Sequence, residues 1–166
     1  MEVTKYESWE QVSEKMQAER DLSGADLSGL DLSGKRLAGL NAEKLNLSGA
    51  NLNKAVLAGI NMEGGDLSAA DLTEAVVAGA NLEDANLAGA NLSRSKWFGV
   101  NVEGADFTDA DTTGAQGFGV SWSSAKVPPA DAPEMFPIQY IVAPVLALVS
   151  LVSVVAILLL LRRRGR

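Results

Sequence analysis

Four glutamates, Glu43, Glu63, Glu83 and Glu103, stand at every twentieth position and are the one constellation of ionisable groups worth weighing as a site. Stacked carboxylates repel one another, which raises some pKa values and draws in a cation that favours hard oxygen ligands. The same column also arises without function, when a twenty-residue segment is copied together with its surface glutamate. That second account is preferred, because Lys44 beside Glu43, and Asn61 or Asn81 beside the others, soften the repulsion. Little other chemistry is on offer. The chain has no cysteine and no histidine, so it lacks a thiol nucleophile, an imidazole base and the usual soft-metal ligands. No metal and no cofactor is expected, and the chain is read as not an enzyme.

The elements that position this column follow from a shorter rhythm. Twenty-one five-residue units run from Asp21 to Ala125 without insertion or deletion. Asp or Asn usually opens a unit, Leu usually follows, and a small residue closes it, as in Asp21-Leu22-Ser23-Gly24-Ala25. A period of five fits neither helix nor flat strand. Fixed-period self-similarity of this length marks a solenoid, whose units contact only their neighbours. Glycine also recurs every twentieth residue, at Gly39, Gly59, Gly79, Gly99 and Gly119. Four units therefore make one coil, and each of its four sides keeps its own chemistry.

The sequence resembles the pentapeptide-repeat family, whose motif is A(D/N)LxX. The resemblance implies an all-β solenoid, a right-handed quadrilateral β-helix of about five coils over residues 21–125. It also implies that the central residue of each motif, and the small residue two before it, point inward. Carried onto this chain, the central set runs from Leu22 to Trp122 and the small set from Ala25 to Ala115. Spacing by whole multiples of twenty stacks Leu27, Leu47, Leu67 and Leu87 in one core ladder, which Phe107 continues. Near the C-terminal end the filling changes to Trp97, Phe98, Phe107, Phe118 and Trp122. Gly117 at a core position leaves a void beside Trp97 unless a neighbour such as Phe118 turns inward. An irregular last coil, closed by these aromatics, is expected.

Both flanks of the repeat have their own reading. Residues 1–20 are expected to form a capping helix: Ser8 and Gln11 make a capping box, and Tyr6, Trp9, Val12 and Met16 make one apolar stripe. Residues 126–140 are proline-rich and are expected to form an extended linker that does not continue the coil. Residues 141–161 carry no charge, and as a helix they would span about 31 Å, so they are read as a transmembrane segment. The basic tail, 162–166, follows.

Charge narrows the function. Four of the 14 basic residues lie in the last five positions and all 21 acids precede them, which leaves residues 1–161 with 10 basic and 21 acidic groups, or −11. Such a body repels phosphate backbones, so no direct nucleic-acid contact is expected. The reading is a non-enzymatic, membrane-anchored scaffold that recognises a protein partner and meets the lipid bilayer through residues 141–161. The alternative, implied by the resemblance, is a DNA-mimicking modulator of DNA gyrase. Orientation is a conflict: the arginines favour a cytoplasmic tail, yet no signal peptide would export the rod. A single-pass protein with a cytoplasmic rod is expected.

Overall fold

A five-residue unit folds as a short extended stretch followed by a tight turn, and the sequence supplies both parts. In Asp21–Ala25 the backbone N–H of Ala25 donates to the Leu22 carbonyl at 3.0 Å. Gly24 takes φ 68°, the left-handed value that a type II turn requires at its third position. The Asp21 carboxylate accepts the Ser23 N–H at 2.9 Å, so the opening residue ties down its own turn. Lys44, Glu74 and Arg94 hold the same left-handed conformation, with φ of 56–58°. A Cβ there costs about 1 kcal/mol or more, so stacking of the coils imposes the turn where glycine is missing.

The computed structural model describes residues 4–135, all of which belong to one compact unit. Units stack in parallel at a register of twenty. Three sides of the coil are joined through single bridges at the opening residues: Asp21 to Asn41, Asn61, Asn81 and Asn101; Asp26 through to Asp106; and Asp31 through to Asp111. The fourth side forms true strands, β1 (Arg36–Ala38), β2 (Val56–Ala58), β3 (Val76–Ala78), β4 (Lys96–Phe98) and β5 (Gln116–Phe118). They pair in sequence order as one parallel sheet. The local reason is the opening residue. Arg36, Val56, Val76, Lys96 and Gln116 replace Asp or Asn on this side, so no carboxylate or carboxamide folds back on the backbone, and the chain stays extended. β-Branched Val56 and Val76 add their strand preference.

Second and fifth residues of the units point inward and fill the axis. Leu27, Leu47, Leu67, Leu87 and Phe107 are buried to 1% exposure or less, and the residues just before them pair in steps of twenty. Four such steps join the first unit of a column to the last, so the regular solenoid is about four turns long. The twenty-one units suggested about five coils; counted as steps of twenty along a column, from Asp26 to Asp106, the rod makes about four turns.

At the N-terminal end, helix α1 (Trp9–Ala18) begins at N-cap Ser8, whose hydroxyl accepts the Gln11 N–H. Val12 is fully buried against the first coil, with Tyr6, Trp9 and Met16 packed beside it. The helix is shorter than the 1–20 expected. Residues 4–6 are extended instead: the Tyr6 N–H donates to the Asp26 carbonyl and the Asp26 N–H to the Thr4 carbonyl, each at 2.9 Å.

The C-terminal end corrects two expectations. Phe118 does not turn inward; it is 45% exposed. The space above Gly117 is taken by Trp122, from the 3-10 turn Trp122–Ser124. Nor do residues 126–135 behave as a free spacer. The Phe107 N–H donates to the Val127 carbonyl at 2.9 Å and the Glu134 N–H to the Ala115 carbonyl at 3.2 Å. Strand β6 (Glu134–Met135) pairs with β5 and extends the sheet to six strands. Proline cannot donate, but the donors on this segment are Glu134 and Val127, whose own N–H donates to the Ala105 carbonyl at 3.3 Å. Among the described residues no helix is long and apolar enough to cross a membrane, and the expected span at 141–161 lies outside them.

Candidate interaction surface

The glutamate column sits on the first side of the coil, at the third position of each unit. Glu43, Glu63 and Glu103 are exposed and Glu83 is half-buried. Beside them runs an asparagine ladder. Asn61 Nδ2 donates to Asn41 Oδ1 at 3.2 Å, Asn81 Nδ2 to Asn61 Oδ1 at 3.0 Å, and Asn101 Nδ2 to Asn81 Oδ1 at 3.0 Å. The same amides reach two of the carboxylates: Asn61 donates to Glu43 at 3.1 Å and Asn101 to Glu83 at 3.3 Å. Glu43 and Glu83 are thus tied to the ladder through donors of the next coil up. Among the described residues no group of three or more carboxylates converges to hold a metal ion.

The second and third sides are also acidic, and their acids have structural employment. Asp26 and Asp31 each accept the N–H two residues on, as Asp106 and Asp111 do at the other end of the rod. The serine or threonine hydroxyl two residues on, and then its N–H, hold the Asp21, Asp26, Asp31, Asp106 and Asp111 carboxyls below the usual carboxylate range. On the third side Glu74 lies between Lys54, at 3.8 Å, and Arg94, at 3.3 Å.

The fourth side differs in kind. Its five units, residues 36–40, 56–60, 76–80, 96–100 and 116–120, contain no Asp, Glu or Asn. Outward from β1–β5 stand two columns: Arg36, Val56, Val76, Lys96 and Gln116, and Ala38, Ala58, Ala78, Phe98 and Phe118. Val56 and Val76 are half-buried, Arg36 and Lys96 exposed. Phe118 is the one large hydrophobic residue among the described residues that is substantially exposed. The sheet's only carboxylate is Glu134, on β6 at its far end. Sparsely charged, this side presents more apolar side chains than the three acidic sides do. The sequence carried the signal in the missing opening Asp or Asn at every twentieth position from 36, but the glutamates drew the attention.

The repeat decides the family. A model of pentapeptide repeats matches the chain in eight copies, over residues 21–59, 50–87, 66–96 and 85–116. The chain belongs to the pentapeptide-repeat family. Among solved structures it is similar to a pentapeptide repeat protein from the Arabidopsis thaliana thylakoid lumen, at 28% identity over 63% of this chain and 71% of that one, with a TM-score of 0.58. It is also matched to Rfr23 from the cyanobacterium Cyanothece 51142, at 23% identity over 69% and 99% of the two chains and a TM-score of 0.39. QnrB1, a plasmid-mediated fluoroquinolone resistance protein, matches at 16% identity over 72% and 91%, with a TM-score of 0.40. No curated protein matches. The pentapeptide-repeat fold is thus the family's, and within this chain the fourth side is the one that departs from the other three.

Proposed function

We propose that this pentapeptide-repeat protein is a non-enzymatic recognition rod, held at a lipid bilayer through residues 141–161, whose sheet side docks a protein partner. The observation that carries the reading is the contrast between sides. Three carry 14 acidic and 4 basic residues between them, while the fourth has no acid and bears Arg36 and Lys96 as its exposed cations. Apolar patches of this kind on an otherwise charged surface mark contact sites. The membrane part of the reading rests on 21 uncharged residues followed by four arginines within five positions.

The test uses the full chain in its native membranes. The wild type is expected to resist extraction by carbonate and to migrate on native gels in a complex larger than one chain. Val76→Glu, which puts a carboxylate at the centre of the sheet side, is expected to dissolve that complex, and Glu63→Lys on the first side to leave it intact. The opposite pattern would move recognition to the glutamate column.

A further inference from the structure

Strand β1 ends the sheet at the N-terminal end of the rod, and among the described residues its one strand neighbour is β2. The register shows which of its groups are left over. In β2 the Val56 N–H donates to the Lys35 carbonyl and the Ala58 carbonyl accepts the Gly39 N–H, at 2.9 Å each. The first and third residues of a strand therefore turn their main-chain groups toward the preceding coil. In β1 those residues are Arg36 and Ala38, and no earlier coil stands before them. The second side of the same coil shows the filled case. Lys5 lies opposite Asp26 as a parallel bridge, with the Asp26 N–H donating to the Thr4 carbonyl and its carbonyl accepting the Tyr6 N–H. Helix α1 does not serve β1 in that way, because a helix satisfies its backbone internally.

A slot of about 350 Å³ runs between α1 and this edge, lined by Trp9 and Met16 from the helix and by Arg20, Ala38 and Leu40. We infer that it takes an extended segment of a partner protein, in which acidic and apolar residues alternate, as an added strand parallel to β1. Edge strands accept such segments through main-chain bonds, and side chains set the choice. Charge selects the acidic residues. Arg20 is the only charged residue lining the slot, and its guanidinium lies over Gly39, where an added Cβ would stand 3.4 Å from Nη1. Arg36 is exposed on β1 itself. Among the described residues neither arginine is in an ion pair. Acids opposite Arg36 and Ala38 would meet the two guanidinium groups, and the apolar residue between them, opposite Leu37, would turn inward toward Trp9 and Met16. The inference goes beyond the reading of the sheet side: it concerns the end of the rod and uses main-chain groups, so the two fail separately.

The probe is a fluorescein-labelled, eight-residue peptide of alternating glutamate and valine, titrated by anisotropy into full-length protein in dodecyl maltoside micelles, with empty micelles as the blank. Saturable binding is expected. The same peptide with alternate backbone amides methylated is expected to lose it, because strand pairing needs those N–H groups. Arg20→Gln and Arg36→Gln are each expected to weaken the glutamate peptide about fivefold to tenfold and to leave a glutamine-for-glutamate peptide unchanged. Ala38→Pro removes an outward N–H while sparing the bonds to β2, and is expected to weaken binding about tenfold. Val76→Glu, at the centre of the sheet side, is expected to bind the peptide as the wild type does, whatever it does to the native complex. Absence of saturable binding, or equal binding of the methylated and parent peptides to the wild type, would overturn the inference. So would a loss of binding in Val76→Glu matching that in Arg36→Gln, which would move the contact onto the sheet face.

Discussion

Trp122 fills the place of the side chain that Gly117 lacks: a Cβ on Gly117 would stand 3.1 Å from the indole Cζ2 and Nε1. The ring makes edge contacts with Trp97, at 5.4 Å between centroids, and with Phe107, at 5.8 Å. Trp97 and Phe107 meet edge to face at 6.3 Å. Three aromatics thus close the end of the core where the leucine filling stops. Trp122→Ala is expected to lower stability by about 3 kcal/mol, since the core beneath is opened. Gly117→Ala is expected to cost about 1 kcal/mol, by forcing the indole outward. Chemical denaturation of both variants checks this pair.

Ser95 stands where Ala55, Ala75 and Ala115 stand in the neighbouring coils. Its buried hydroxyl accepts the Trp97 indole N–H at 2.8 Å and donates to the Leu92 carbonyl at 2.5 Å. Alanine plainly fits the site, so Ser95→Ala isolates the hydrogen bonds from the packing. A loss of about 1–3 kcal/mol is expected, because the indole N–H is left buried and unpaired. A neutral result by denaturant melt would mean that the indole finds another acceptor.

The glutamate column gives a sharper contrast. Asn61 and Asn101 already donate to Glu43 and Glu83, which leaves mutual repulsion as the net effect of the stacked charges. Glu63→Gln with Glu83→Gln is expected to leave stability unchanged or to raise it by about 0.5–1 kcal/mol, with the gain shrinking in high salt. A melting temperature that rises in calcium over matched monovalent salt, and loses that rise in the double variant, would make the column a cation site.

Acid should loosen the ends of the rod through five aspartates. The carboxyls of Asp21, Asp26, Asp31, Asp106 and Asp111 sit below the usual range because each accepts bonds from the residue two positions on. A depressed folded-state value adds stability that is complete above the unfolded value, about 3.9 for Asp. It is lost as pH falls through the lower folded values. The melting temperature is therefore expected to fall below about pH 4, and Asp106→Asn to show a smaller fall. An unchanged acid limb in that variant would contradict the assignment.

The period of five and the Gly39–Gly119 column were enough to read the four-sided coil, because a solenoid repeats its local rules at fixed spacing. The ends were harder, because there the rules stop repeating. The gap at Gly117 was legible, but not that Trp122 would return across it while Phe118 faced out; that choice depends on a turn outside the repeat. The prolines at 128, 129 and 133 suggested an end to pairing, whereas Val127 and Glu134 kept the needed donors. The sheet side was missed because its mark is a substitution, Arg36 to Gln116 in place of the opening Asp or Asn, and not a conspicuous residue type.

Carbene footprinting of the full chain, in its own membranes and after purification, tests the recognition surface residue by residue. The account predicts that in membranes labelling falls at Val56, Val76 and Phe118, and stays unchanged at Glu43, Glu63 and Glu103. Protection confined to the glutamate side, with the sheet side labelled equally in both states, would contradict it.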